Sequence, residues 1–371
     1  MNRERIDRVL GITGKELLSI RRDPKLLRVV FVAPLIQLMI FGYAVSTDVR
    51  DTKMFVVDHE QTATSRALVE AMTSSGYFRV VGYSDRPSDL VAAIDHGRAL
   101  VGLQIPPGYT AALHGPDGAR VQIVLDGTNS NVATVALGYA ERIVRQHGLA
   151  EVESRFEPPV DLRERAWYNP ALQSRIFNVP AVIGSIMLLV SLLLTALAVV
   201  RERELGTLEQ LMVSPLTPGE LIAGKTLPFA MIAMFDLALI TTVALLWFRI
   251  PFTGNFLLLL LAAVLFLLSA LGLGLLVSTV SSTQQEAFLG TFLLFMPTML
   301  LSGFMFPVAS MPVVFQWLTL LNPMRHYIEI VRAVFLKAAG LDALWPQFTA
   351  LAVMGSSVIA FAATRFRKTV G

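Results

Sequence analysis

Five stretches of this chain, residues 177–200, 226–248, 256–277, 287–306 and 345–364, carry one charged side chain among them, Asp236. Each is about 20 residues long, the length at which an apolar helix matches the hydrocarbon thickness of a bilayer. A segment in lipid has to satisfy its own backbone N–H and C=O groups, which makes these runs helices. A sixth run, residues 29–45, is shorter and contains Pro34 and Gln37. With 54% hydrophobic and 16% charged residues, the chain reads as an α-helical integral membrane protein with six transmembrane helices. It has no cysteine, which excludes disulfides, thiolate metal sites and a thiol nucleophile. The net charge of +3 is small, so where the basic residues lie says more than their sum, and they point to orientation rather than to nucleic acid.

Residues 3–22 place Ile6, Val9, Leu10, Thr13, Leu17 and Ile20 on one helical face, with Arg3, Arg5, Arg8, Lys15, Arg21 and Arg22 around the other. That is the pattern of a helix lying in the headgroup layer, and Asp23-Pro24 ends it. Residues 1–25 are thus expected to form a cytoplasmic amphipathic interfacial helix and residues 26–46 an uncleaved first transmembrane helix. The segment after it falls outside the cell.

Residues 47–175 contain no run able to span. Strand-like runs at 53–57, 78–81, 99–104 and 120–125 alternate with helical patterns at 64–75, 88–96, 107–113 and 131–152, which predicts an inserted extracytoplasmic α/β domain. Asp126-Gly127-Thr128-Asn129 reads as a turn, with Asn129 or Ser130 capping the next helix. His59, His96, His114 and His147 are too scattered for a metal site, so no metal is expected. Pro158, Pro159 and Trp167-Tyr168-Asn169-Pro170 read as a rigid return to the membrane.

Residues 176–371 then hold transmembrane helices two to six. Arg365, Arg367 and Lys368 keep the C-terminus, like the N-terminus, in the cytoplasm. Residues 307–340 carry two short helical pieces around Asn322-Pro323 and are expected as an external re-entrant hairpin that roofs the pathway. Asp236, inside the third helix, is a functional-site candidate because an unpaired carboxylate in lipid costs several kcal/mol. The alternative is a hydrogen bond to Gln37, Thr241 or Thr242. Gln37, Asp236, Ser302 and Gly303 are the candidates for the pathway or a helix interface.

Between the second and third helices lies a charged island, residues 201–225. Glu202, Arg203, Glu204 and Glu209 lie close together, and Leu205, Leu208, Leu211 and Met212 recur at helical spacing. This predicts an amphipathic helix flat on the membrane, ended by Pro215, with Ser214 or Thr217 capping the third transmembrane helix. Charge displayed there can dock a soluble partner. Gly219 to Thr226 also match G-x-x-x-x-G-K-[ST], but a phosphate loop needs a buried strand before its glycines. Pro215 and Pro218 deny that strand, and no nucleotide is expected on this chain.

Glu202-Arg203-Glu204, Gly206-Thr207, the Pro215-Leu216-Thr217-Pro218 turn, Glu220-Leu221 and Gly224-Lys225, in this order, resemble the cytoplasmic loop of ABC-2 type permeases, the membrane subunits of ATP-binding-cassette exporters. Lys15-Glu16, Arg22-Asp23-Pro24, Asp126-Gly127, Gln284-Gln285, Leu301-Ser302-Gly303, Phe306-Pro307 and Asn322-Pro323 extend the resemblance over nearly the whole chain. It is closest to the subgroup with a large extracytoplasmic domain after the first transmembrane helix.

The resemblance implies a non-catalytic transport subunit in a bacterial plasma (inner) membrane that moves a hydrophobic, drug-like or lipid-like substrate outward. ATP and Mg would bind a separate ABC ATPase subunit. A second permease copy or a related permease, the lipid bilayer and a periplasmic adaptor would be its other partners, and nucleic acid would not. Glu202, Arg203, Glu204, Gly206, Thr207, Glu209, Gly224 and Lys225 would form the ATPase-coupling surface. The residues alone also leave open an ion-coupled carrier using Asp236, a membrane receptor with an external ligand-binding domain, and a self-contained ATPase resting on the Gly219 to Thr226 match.

Overall fold

The computed structural model describes residues 3–43, 51–115, 118–128, 130–152, 167–169, 173–206 and 217–369. It divides into two compact units, Thr47–Ala166 and the remainder of the chain.

The remainder is helical. Helix α1 (Arg3–Arg22) is followed by α2 (Pro24–Leu27), a π turn over Arg28–Val32 and α3 (Ala33–Tyr43). The Ala33 N–H reaches back five residues to the Arg28 carbonyl, and Pro34, which has no N–H to give, comes directly after it. Four later helices are long and apolar enough to cross a membrane: α8 (Ser174–Glu204), α9 (Pro218–Leu246), α10 (Phe256–Val280) and α14 (Leu341–Thr369). Helix α8 is central, with every residue from Val179 to Leu188 buried. A Cβ on Gly274 of α10 would lie 2.8 Å from Thr195 Cβ and 2.9 Å from the Leu192 carbonyl of α8. Small residues thus set how closely these helices approach.

One helical segment is shorter than expected. Helix α11 (Gln284–Leu300) has 17 residues, about 26 Å, and stops short of Phe306. The Ser302 hydroxyl donates to the Met299 carbonyl at 2.6 Å, and Gly303 takes a left-handed φ of +78° that turns the chain away. The two helices around Asn322-Pro323, expected as a re-entrant hairpin, differ in burial. Helix α12 (Val313–Thr319) is exposed, but α13 (Pro323–Lys337) is buried among α8, α10 and α14. Tyr327 of α13 stacks on Phe266 at 4.3 Å, and its hydroxyl donates to the Met187 sulfur at 3.2 Å. An apolar face of Met324, Ile328, Val331 and Phe335 draws this charged helix inward.

The other unit contains β1 (Thr52–Asp58), α4 (Ala63–Ser74), β2 (Phe78–Ser84), α5 (Pro87–Asp95), β3 (Val101–Ile105), α6 (Tyr109–Leu113), β4 (Gln122–Leu125) and α7 (Ser130–Val152). Its sheet has the order β2-β1-β3-β4, with β1 parallel to β2 and β3, and β4 antiparallel at one edge. Met54, Val56, Leu103 and Ile105 of the two central strands pack with Leu68, Met72 and Tyr139 in its core. Asp126 accepts from the Thr128 N–H and hydroxyl, forming the turn read from the sequence. Asn129, Pro158, Pro159 and Pro170 lie outside the described residues.

Candidate functional site

The charged island does not begin with a flat amphipathic helix. Helix α8 runs on through Arg201, Glu202 and Arg203 to Glu204, so these residues are the last turn of a spanning helix. Gly206, at φ +70°, ends it in the left-handed conformation that a glycine adopts without strain. Thr207, Glu209, Ser214 and Pro215 lie outside the described residues. The chain resumes at Thr217, whose side chain accepts from the Glu220 N–H at 3.3 Å while Glu220 accepts from the Thr217 N–H at 2.8 Å. This reciprocal cap starts α9.

Helix α9 contains all of Gly219 to Thr226. Its backbone N–H groups are therefore committed to helix hydrogen bonds beyond the first turn, and Gly219 to Thr226 form no phosphate-cradling loop. The two residues that complete the motif have other work. A Cβ on Gly224 would lie 2.8 Å from Ile12 Cβ, and the Thr13 hydroxyl donates to the Gly224 carbonyl at 3.3 Å, so Gly224 admits α1 against α9. Lys225 is 2% exposed, and its Nζ lies 2.5 Å from Glu202 Oε2 and 3.9 Å from Glu16 Oε1. Lys15 closes on the other oxygen of Glu202 at 3.3 Å. A second pairing joins Arg8 and Arg5 of α1 to Glu220 at 3.1 and 3.7 Å.

The end of α8 also reaches the turn between α10 and α11. Arg203 donates to the Ser281 carbonyl at 2.8 Å. Glu204 accepts from the Gln284 backbone and side-chain N–H groups at 2.7 and 2.5 Å. Gln284 is the first residue of α11, so the carboxylate sits where unpaired N–H groups and the helix dipole favour negative charge. Glu202 and Glu204 thus tie one helix end to α1 and α9 on one side and to α11 on the other. The sequence singled out Glu202, Glu204, Gly224 and Lys225 but did not join Glu202 to Lys15, Lys225 to Glu16, Glu204 to Gln284, or Glu220 to Arg8. The capping sequence Thr-x-x-Glu at Thr217 was a signal for Glu220; no spacing could pair α1 with α9, more than two hundred residues apart in the chain.

Asp236 is fully buried on α9, and neither carboxylate oxygen has a hydrogen-bond partner among the described residues. The expected partners do not meet it. The Thr242 hydroxyl donates to the Ala238 carbonyl at 2.7 Å, and the Thr241 hydroxyl is itself without a partner among the described residues. Gln37 lines a separate cavity of about 50 Å³ with Pro34, Val190 and Leu194. Ser302 and Gly303 belong to the turn after α11, where Arg332 donates to the Gly303 carbonyl at 3.0 Å and lies over the Phe177 ring at 3.5 Å. These four candidates do not converge on one site.

In the α/β unit, the order of the strands reverses between β1 and β3, and a ligand of such a sheet would bind beyond their carboxyl ends. That crevice is filled from within. Glu60 accepts from the Gly108 N–H at 2.5 Å and the Thr110 N–H at 3.0 Å, while Asp58 accepts from the Glu60 and Gln61 N–H groups. The four histidines form no metal-holding group among the described residues.

Residues 25–364 match the model of a family described as ABC-2 family transporter protein. The probable multidrug ABC transporter permease YbhR of Escherichia coli (strain K12) is 35% identical over 98% of this chain and 99% of its own length. The probable multidrug ABC transporter permease YbhS of the same strain is 32% identical over 89% and 88%. The inner membrane transport permease YhhJ, also of that strain, is 30% identical over 76% and 77%.

Proposed function

The chain belongs to the ABC-2 transporter family and is the multi-pass membrane permease subunit of an ABC exporter, and from that premise we propose that the end of α8 is its coupling point to the ATPase. A separate ATPase subunit binds and hydrolyses ATP with Mg, and its movement acts on the segment between α8 and α9. The observation that carries this reading is the junction itself: Glu202 and Glu204 join α8 to α1, α9 and α11 through short charged contacts. A push on the joining segment then moves several helices together rather than bending one.

The permease works as a pair, with a second copy or a related permease, in the bacterial inner membrane. Six crossings, supplied by the α2–α3 segment, α8, α9, α10, α11 and α14, leave both termini and the junction in the cytoplasm and the α/β unit outside. The relatives' description as multidrug permeases and the apolar helices favour a hydrophobic, drug-like or lipid-like substrate. A periplasmic adaptor could receive it. An ion-coupled carrier would need no ATP.

The test is ATP hydrolysis by the purified chain in lipid, alone and with its cognate ATPase. The chain alone should be inactive, also as Lys225→Ala. With the ATPase it should form a complex whose transport Glu204→Lys lowers at least tenfold while the permease stays folded. Undiminished ATP-driven transport in Glu204→Lys would remove the coupling role.

A further inference from the structure

We propose that the recess between α1 and the adjoining ends of α8 and α9 is a binding site for one acidic phospholipid molecule. The recess encloses about 330 Å³, at the lower end of the range of small-molecule sites. Its floor is apolar, built from Ile20 of α1, Leu194 and Leu197 of α8 and Phe229 of α9. It opens into a wider hollow bordered by Lys15, Arg22 and Arg201. Leu18 and Leu205 stand at the mouth, 46% and 67% exposed.

Charge decides the occupant. Three carboxylates border the two hollows, Glu16, Asp23 and Glu202. Glu202 and Glu16 are held by Lys225, and Glu202 by Lys15 as well. Arg22 and Arg201 are exposed and make no ion pair among the described residues. With Lys225 included, four cations stand against three anions, and the uncommitted charge lies at the mouth. Cations at the mouth above an apolar floor match a phosphate headgroup with its acyl chain pointing inward. A zwitterionic headgroup would bring a choline against the same arginines, and a free anion would leave the floor uncovered. The bound lipid touches α1 and α8 together, so it splints the ion-pair junction and favours the state in which those helices move as one.

This inference rests on the proposed function only in placing the junction at a membrane surface; lipid retention is read without the ATPase. The full chain is placed in phosphatidylcholine nanodiscs doped with phosphatidylglycerol, and retained lipid is counted by native mass spectrometry. Phosphatidylglycerol should be retained in preference to phosphatidylcholine. Arg22→Gln and Arg201→Gln should each weaken its retention about fivefold, the equivalent of ~1 kcal/mol per basic residue near an anionic headgroup. Ala198→Phe, which fills the floor, should lower retention with both arginines intact. Arg365→Gln, a basic residue outside the recess, should change nothing. Equal loss with Arg365→Gln would reduce the effect to general surface charge and overturn the site. Displacement of phosphatidylglycerol by soluble glycerol phosphate at equal concentration would show a free-anion site and overturn the lipid.

Discussion

Lys225 shows how far a residue's role can lie from the motif that contains it. A lysine 2% exposed between two carboxylates is stable only as part of that set, because a buried charge is tolerated only with its counter-charges in place. Lys225→Met should therefore destabilise the helical unit by about 3–5 kcal/mol. The double variant Lys225→Met with Glu202→Gln should regain most of that loss, as measured by heat- or detergent-induced unfolding. If the double variant unfolds as readily as the single one, the pair is not what holds this end together. Asp236 is the opposite case, a buried carboxylate with no partner among the described residues. Asp236→Asn has nearly the same shape and should change stability by no more than about 1 kcal/mol while altering transport or the stimulation of ATP hydrolysis. Unchanged transport would assign Asp236 to packing.

Among the elements, the crevice between β1 and β3 carries a signature of its own. Hydrogen bonds from the Thr110 backbone, then from the Thr110 side chain and the Gly108 and Tyr109 N–H groups, hold the Glu60 carboxyl below its ordinary value. A carboxyl lowered in the folded state stabilises it above the unfolded pKa, near ~4.3, and that contribution is lost as pH falls through the folded value. Hydrogen exchange of the full chain should thus show the β1–α4 and β3–α6 loops protected at pH 7 and opening as pH falls below the ordinary glutamate range. Glu60→Gln should open them at both pH values, and equal protection in that variant would mean the carboxylate does not hold the crevice. The helices were legible in the sequence to uneven degrees for a physical reason. Apolar length fixed α8, α9, α10 and α14, and alternation of short strand and helix patterns located the four strands among the described residues. Apolar length could not see that Ser302 and Gly303 stop α11 early, or that α13, with Arg325, Glu329 and Arg332, is nevertheless buried.

For the whole molecule, the proposed orientation can be checked directly because the chain has no cysteine. Arg86→Cys, exposed in the α/β unit, should react with a membrane-impermeant maleimide in intact cells, and Arg365→Cys only after permeabilisation. Labelling of both, or of Arg365→Cys alone, in intact cells would overturn the topology. The sequence by itself determined that this is a helical membrane protein with a separate α/β unit, because apolar length and period are local properties that survive in a one-dimensional string. It also carried the order of charged and glycine residues that identifies a permease. Only the tertiary structure decided what those residues touch. Gly224 faces Ile12, Lys225 faces Glu202 and Glu16, and Glu204 faces the first turn of α11. Ion pairs and close glycine contacts form between segments far apart in the chain, and no periodicity records which distant helix will fold against them.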